Sequence, residues 1–410
     1  MEHLLFLVHR IPYPPNKGDK IRSYHLLKHL AQRYHVHLGT FVDDPNDWQH
    51  VDKVKQLCGD THFATLNSRT AKLRSLGALC GNRALSLDYY RNAGLHAWVK
   101  GVLANNPISR VLVFSSAMAQ YAGSAQLTRR VIDFVDVDSD KWRQYAEKKS
   151  WFMSWLYRRE ARQLLSYEQQ VSRNFDASLF VSQPEADLFR QLAPDSSHKI
   201  GFFNNGVDTD YFSPAHLFPN PYQPNERVIV FTGAMDYWPN IDAVRWFAHD
   251  ILPMIRKKNP AALFYIVGAR PSPQVQVLAD FPGIRVTGSV PDVRPYLAHA
   301  DFAVAPLRIA RGIQNKVLEA MAMAKPVLVS SQALEGIDAV PGRELMLAEN
   351  AEQFAVMATD LLQRRDGRHG IRNDSMGARA RDKVKATYGW ANKLSVVHGL
   401  LDTNEPSTFL

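Results

Sequence analysis

The chain has 410 residues, 46% of them hydrophobic and 22% charged, too many for one ordinary core, so two or three domains are expected. That composition excludes a disordered, collagenous or coiled-coil protein. The net charge of +9 is uneven: 27 Lys and Arg stand against 19 Asp and Glu in residues 1–200, and 22 against 21 in residues 201–410. The basic first half is expected to meet something anionic: membrane lipid, a phosphorylated acceptor or nucleic acid. No run reaches the roughly 18 apolar residues of a membrane span. Cys58 and Cys80 are too few for a disulfide framework or a zinc site and suit a reducing compartment. The opening MEHLLFLVHR has too short an apolar stretch for a signal peptide and reads as a first strand.

In chain order, continuous apolar runs predict strands over 3–8, 36–42, 61–66, 110–114, 130–135, 177–182 and 199–203. Helical stretches separate them; in 21–34, Leu26, Leu27, Leu30 and Ala31 keep a 3.6-residue period. The Pro- and Asn-rich segment 205–226 reads as a linker. The pattern then restarts, with strands over 227–234, 261–269, 283–289, 301–307, 325–331 and 345–348, and helices over 240–258, 292–300 and 315–324. Strand and helix in alternation predict two doubly wound α/β domains with parallel sheets. Two such domains in tandem put a cleft between two sheets, with ligands at the carboxyl ends of the strands.

One such loop carries most of the chemistry. In APLRIARGIQNKVLEAMAMAKPVLVSS (305–331) a strand is followed by Arg308, Arg311 and Gly312, then by a helix bearing Lys316 and Glu319. Free N–H groups and partial positive charge at a helix start suit a phosphate, and Gly312 lets the backbone come near a ligand. Arg308, Arg311 and Lys316 would neutralise a diphosphate. Glu319, one turn into the helix, would accept hydrogen bonds from vicinal hydroxyls such as those of a ribose. The alternative is a surface loop with Glu319 in a local ion pair. The stretch 141–163 mixes Trp142, Tyr145, Trp151, Phe152, Trp155 and Tyr157 with Lys and Arg. It reads either as a helix lying on an anionic membrane surface or as a long helix with its aromatic stripe in the core. Nucleic acid fits less well, because no recognised binding module is present. The 15 histidines show no H-E-x-x-H spacing, and neither G-x-S-x-G nor G-x-G-x-x-G occurs.

Several segments together resemble the retaining glycosyltransferases of family 4: RIPYPPNKGDKIRSYHLLKHLA, SYEQQVSRNFDASLFVSQPEADLF, FFNNGVDTDYFSP, VTGSVPDVRPYLAHADFAVAPLRIARGIQNKVLEAMAMAKPVLVSS and YGWANKLSVVHGLL. With IDFVDVDSDKWRQYA, they resemble more closely the sugar transferases of bacterial exopolysaccharide loci linked to the PEP-CTERM/exosortase system. The resemblance implies a GT-B fold of two Rossmann-like domains facing a cleft. Residues 1–205 would be the acceptor domain, 206–386 the nucleotide-sugar donor domain, and 387–410 a helix returning to the first domain. It implies donor binding by Gly233, Val290, Arg308, Arg311, Gly312, Ile313, Lys316 and Glu319. Acceptor binding falls to Gly18, Asp19, Lys20, Ser115 and Ser116, where a tight turn at Gly18 and a helix cap at the serines are the structural alternatives.

The departures are specific. Arg311 stands eight residues before Glu319, where the family has a second glutamate. The loop TGAMDYWPN keeps Gly233 but lacks the family's two cations. The usual histidine after the fifth strand is replaced within DFVDVDSD, where Asp136 is taken as nearest the reacting centre and helix capping is its alternative. Asp236, Asn240 and Asp292 read as helix-start residues. The implied activity moves a sugar from a nucleotide diphosphate sugar to a hydroxyl of a lipid-linked exopolysaccharide intermediate, with retention, no metal and no cofactor beyond the donor. Asp136, Lys316 and Glu319 would be catalytic. A non-catalytic nucleotide-sugar-binding scaffold and a nucleotide-sugar epimerase are the alternatives. The expected partners are the donor, the saccharide acceptor and an anionic membrane surface, with no nucleic acid. The expected place is the cytoplasm or the inner face of the cytoplasmic membrane.

Overall fold

The computed structural model describes residues 1–15, 17–123, 127, 129–147, 151–310, 313–364 and 372–402. The chain divides into two compact units, one of residues 1–205 with 393–410, the other of residues 206–392.

The first unit is built on seven strands: β1 (Glu2–Val8), β2 (Tyr34–Val42), β3 (Asp60–Thr65), β4 (Ile108–Phe114), β5 (Arg129–Val135), β6 (Ala177–Phe180) and β7 (Ile200–Phe202). All pairings are parallel, in the order β3-β2-β1-β4-β5-β6-β7. The second has six: β8 (Arg227–Thr232), β9 (Ala262–Val267), β10 (Ile284–Gly288), β11 (Phe302–Ala305), β12 (Val327–Val329) and β13 (Met346–Leu347). Their order is β10-β9-β8-β11-β12-β13, again all parallel. Each strand coincides with one of the apolar runs. Leu4 to Val8, Val111 to Phe114 and Ile229 to Phe231 are fully buried, as central strands covered by helices on both faces require. In each sheet the chain order reverses beside the first strand, between β1 and β4 and between β8 and β11. Such a switch point opens a crevice at the carboxyl ends of the strands.

Two helices depart from expectation. The first spans Gly18–Leu30, with Leu26, Leu27 and Leu30 buried; it ends short of 34 because Tyr34 opens β2. The stretch 240–258 is interrupted: helix Trp238–Trp246, a π-turn at Phe247–Ile251, then helix Leu252–Lys258. Pro253 has no N–H to give to the carbonyl of His249, and the wider turn absorbs the missing bond.

A buried ion pair ties the first unit together. Arg22, on the helix Gly18–Leu30, and Asp133, on β5, are both 0% exposed. The guanidinium donates to both carboxylate oxygens, at 2.7 and 3.1 Å. It also donates to the carbonyl of Phe203 at 2.9 Å and to Asn205 Oδ1 at 3.0 Å. Its carbon lies 3.5 Å from the Phe203 ring centroid.

The last described helix starts at Trp390, and from Lys393 onward it belongs to the first unit. The carbonyls of Leu400 and Leu401, in its last turn, accept from Arg129 Nε at 2.6 Å and Arg110 Nε at 2.9 Å. Guanidinium groups at a helix C-terminus satisfy carbonyls that have no intrahelical donor. Arg129 opens β5 and Tyr34, bonded to Asp402, opens β2. This helix therefore lies at the amino ends of the strands and leaves the carboxyl ends open.

Candidate functional site

In the second unit the chain leaves β8 through Gly233. A Cβ added there would lie 2.7 Å from Asn240 Nδ2, and one added at Gly268, after β9, would lie 1.7 Å from the Gly233 oxygen. Both positions must stay bare for the loop to pack. The close approach admits Asn240, which is buried. Its Nδ2 donates to the Ala234 carbonyl at 2.9 Å, and its Oδ1 accepts from Lys316 Nζ at 2.6 Å. The ammonium also lies 5.0 Å from the Phe231 ring centroid, a favourable place for a cation. Lys316 is thus fixed at the end of β8, beside the switch point, from the first turn of the helix Asn315–Ala322. Among the described residues no side chain makes a cap hydrogen bond to that helix.

Glu319 stands one turn further on, half-buried. Among the described residues no hydrogen bond or ion pair holds its carboxylate. Burial pushes its pKa up to about 7, against the pull of Lys316. Burial likewise pushes Lys316 down to about 8, against the pull of Glu319. Two ionisable groups displaced toward each other at a crevice are typical of a ligand site.

The other expected donor residues are placed differently. Arg308 follows β11, but its guanidinium is committed to Asp242, with Nε 2.9 Å from Oδ2, and lies 5.5 Å over the Trp246 ring. Arg311 and Gly312 lie outside the described residues. Val290 and Ile313 are half-buried against the second core. Asp292 accepts the backbone N–H of Arg294 at 2.9 Å, as a helix-start residue does, and also holds the Arg294 guanidinium. That guanidinium covers the Tyr211 ring at 3.6 Å. Asp236 is not a cap. It pairs with Arg270, 2.7 Å away on the loop after β9, a cation the sequence reading had not placed here. Asn240 is not a cap either: its side chain turns back onto the loop and Lys316.

At the carboxyl ends of the first sheet the backbone is strained. Ser115, after β4, has φ +77°, and Val135, at the end of β5, has φ +73°. A non-glycine residue in this region costs about 1–3 kcal/mol, more typical of functional sites than of ordinary loops. Ser116 is buried at the start of a 3-10 turn. His9, the first residue past β1, stacks on Phe114 and reaches Asp19 at 3.4 Å, while its Nδ1 is buried without a partner. The sequence reading missed it; its place directly after a central strand was the available signal. Burial opposes ionisation of Asp19, but His9 and Arg10 outweigh it and hold the carboxyl well below its usual range. Lys20 is 2% exposed and bonded to Asp47. Gly18 is exposed, with open space where a Cβ would stand, so neither packing nor φ demands glycine there.

Asp136 bonds Lys141 Nζ at 2.6 Å and does not cap the helix Asp138–Glu147. The N–H groups near that helix start go elsewhere, Val137 to Glu185 at 2.7 Å and Ser139 to Glu168. Glu168 is fully buried, and burial pushes its carboxyl up to about 8.

The stretch 141–163 divides between its two readings. Trp142 and Tyr157 pack against each other, with ring centroids 5.0 Å apart. Tyr145, Trp151 and Trp155 are exposed, Trp151 by 84%. Trp155, Arg143, Arg158 and Arg162 line a shallow hollow of about 480 Å³. Arg159 turns inward and donates to the Ala78 carbonyl at 2.7 Å. That contact brings alongside a segment whose Leu73, Leu76 and Leu79 are also exposed. Lys148 and Lys149 lie outside the described residues. Among the described residues no helix is long and apolar enough to cross a membrane.

Residues 226–364, about a third of the chain and all of the Lys316 site, match the family described as Glycosyl transferases group 1. Solved structures resemble nearly the whole chain. A glycosyltransferase from Rickettsia africae is 14% identical at TM-score 0.60, covering 98% of this chain and 99% of that one. HepE of Anabaena, in complex with UDP, is 15% identical at 0.59, covering 97% and 99%. A sucrose-phosphate synthase from Thermosynechococcus elongatus is 16% identical at 0.60, covering 98% of each. No curated protein matches the chain. The architecture is that of the GT-B fold: two Rossmann-like α/β domains, each on a parallel sheet.

The raised Glu319 pKa makes a stability prediction. The folded chain binds more protons than the unfolded one between about 4.5 and about 7, so stability from this group is present below that window and falls as pH rises through it. Glu319→Gln should flatten the fall and leave the Tm at pH 7.5 equal to or above that of the parent, by differential scanning fluorimetry across pH. A Tm lower by more than about 4 °C, roughly 1 kcal/mol or more for a domain of this size, would make Glu319 a structural residue.

Proposed function

We propose that this protein is a retaining glycosyltransferase that moves a sugar from a nucleoside diphosphate sugar to a hydroxyl of a saccharide. The carrying observation is Lys316: an ammonium held 2.6 Å from Asn240 at the switch point of the second sheet, on the first turn of its helix, with no carboxylate bonded to it among the described residues. A leaving diphosphate gains negative charge as the glycosidic bond breaks. A fixed ammonium and backbone N–H groups stabilise that charge without rearranging during the step. In this reading Glu319 accepts the two ribose hydroxyls, which would replace the water its carboxylate has partly lost. The match of residues 226–364 to the glycosyl transferase family supports this reading, as does the UDP complex of the structurally similar HepE.

Under this reading the acceptor attacks from the leaving-group face and a phosphate oxygen takes its proton. No strong protein base is then required, and Asp136, already paired with Lys141, serves to shape the reacting centre. These charges are of the kind that meet a diphosphate without a metal ion. The acceptor side falls to the first unit, through the exposed backbone at Gly18 and the strained turn at Ser115 and Ser116. Asp19 and Lys20 act there by holding the loop, since both are engaged with neighbours. Arg308 contributes only if Asp242 releases it.

The acceptor in this proposal is lipid-linked, an intermediate of exopolysaccharide assembly, and the protein works at the inner face of the cytoplasmic membrane. The support is the exposed Trp151, and the exposed Trp155 beside Arg143, Arg158 and Arg162, on the basic half of the chain. Aromatic side chains enter the interfacial region and the arginines meet anionic headgroups.

Two measurements check these points. A panel of nucleotide sugars, assayed with and without saccharide acceptors, should show acceptor-dependent release of the nucleoside diphosphate. Lys316→Ala should lower that rate by roughly 100-fold with little change in Tm. Binding without turnover would identify a scaffold, and acceptor-free isomerisation of the sugar an epimerase. The second is sedimentation with vesicles. The protein should pellet with phosphatidylglycerol vesicles and be released as salt shortens the Debye length below about 8 Å. Changing Trp151 and Trp155 to Ser with Arg158 and Arg162 to Gln should remove most of the binding. Equal binding to neutral vesicles, or none to anionic ones, would defeat the membrane proposal.

A further inference from the structure

Three imidazoles converge at the amino ends of the first two strands, the edge of the sheet opposite the crevice. Parallel register sets His3 of β1 beside His35 of β2, and Leu5 beside His37. His35 and His37, two residues apart on one strand, share a face. The ring centroids are 4.8 Å apart for His3 and His35 and 5.2 Å for each of the other two pairs. One nitrogen from each ring lies within 4.8 Å of the others, and His3 Nδ1 stands 2.9 Å from His37 Nε2.

Hydrogen bonding accounts poorly for this arrangement. The 2.9 Å contact takes one proton between two nitrogens. His37 is 2% exposed, and its Nδ1 is buried with no partner. His35 lies over Gly59, where a Cβ would stand 1.7 Å from its Nε2. Asp60 of β3, paired in register with His37, adds negative charge nearby.

We propose that His3, His35 and His37 form a binding site for a divalent transition-metal ion, with zinc as the first choice. Neutral imidazole suits Zn²⁺, Cu²⁺ and Ni²⁺. Metal–nitrogen bonds of about 2.0–2.1 Å in a tetrahedron place ligand nitrogens about 3.3 Å apart. The His3–His37 spacing is already close to that value, and a small rotation of His35, whose ring is exposed, closes the set. Water fills the fourth position on the exposed side. The ion would clamp β1 to β2 at their amino ends. Its place on the edge away from Ser115, Val135 and Asp136 makes it a structural or regulatory ion and keeps it outside the sugar-transfer chemistry.

The test is a titration of the full-length, metal-free protein with Co²⁺, read by visible absorption, and with Zn²⁺, read by calorimetry. One equivalent should bind, with d–d bands of a four- or five-coordinate nitrogen and oxygen site and no thiolate charge-transfer band. His35→Ala, an exposed position where the fold survives, should weaken this first equivalent. The loss should be on the order of 100-fold or more, since even partners behind the ligands cost 10–100-fold. His3→Gln should do the same, and His216→Ala, in the second unit, should leave it unchanged. Saturating Zn²⁺ should raise the Tm of the parent and not of His35→Ala. A parent with no saturable first equivalent, or a His35→Ala variant that binds as the parent does, would overturn the proposal.

Discussion

Arg22 and Asp133, a guanidinium and a carboxylate with no exposed surface, hold the first unit in register. Asp133 lies near the end of β5, and the same guanidinium reaches the carbonyl of Phe203 past β7 and the side chain of Asn205. One side chain thus joins the first helix, the central strands and the last residue before the chain crosses into the second unit. Burial raises the cost of the Asp133 charge, and two guanidinium bonds with the Val135 N–H offset it. Removing either partner from such a pair leaves an uncompensated buried charge, at a cost of about 3–5 kcal/mol. The pair also stands directly before the strained Val135, so the rigidity that supports the unusual backbone at the carboxyl edge comes from the same interaction.

Most charges in both units are paired, and Lys316 with Glu319 is the exception that matters for a ligand. In the first, Arg22 meets Asp133, Lys20 meets Asp47, Arg10 meets Asp19 and Asp43, and Lys141 meets Asp136. These charges complete the architecture and have little left to offer a ligand. In the second, Lys316 has a neutral amide for a partner and Glu319 has none among the described residues. Each is partly stripped of water, and the Lys316 ammonium is held in place by Asn240. A folded chain that keeps two such groups half-buried gives up stability at neutral pH. This contrast supports the proposed place of the nucleotide on the second unit.

All thirteen strands were legible as short β-rich runs, most plainly the central ones, where burial on both faces makes the run continuously apolar. The switch points follow from strand order, which the strand and helix alternation implies only in outline. The site was legible in part. Lys316 and Glu319 could be read from a strand, loop and helix in succession. Asn240 could not, because spacing along a helix does not say that a side chain turns back over a glycine. The commitment of Arg308 to Asp242, 66 residues away, was equally invisible. So was the histidine cluster: it arises from register between β1 and β2, where the sequence shows only a His near the start and a separate H-x-H. The aromatic stretch 141–163 satisfied both of its readings, since Trp142 and Tyr157 pack while Trp151 and Trp155 stay in solvent.

The account rests on Lys316 and Glu319 meeting the diphosphate and the ribose, and their displaced pKa values make that directly measurable. Calorimetry from pH 6 to pH 10 should compare a nucleoside diphosphate with inorganic pyrophosphate, which has phosphates but no ribose. Both ligands should bind more weakly above about pH 8, by up to roughly tenfold per pH unit, as Lys316 loses its proton. Below about pH 7 both ligands take up a proton on phosphate, and the nucleoside diphosphate should lose affinity beyond that shared fall, where Glu319 becomes protonated. An affinity for the nucleoside diphosphate that stays level from pH 7 to pH 10, or an acid limb of equal size for pyrophosphate, would contradict the assignment.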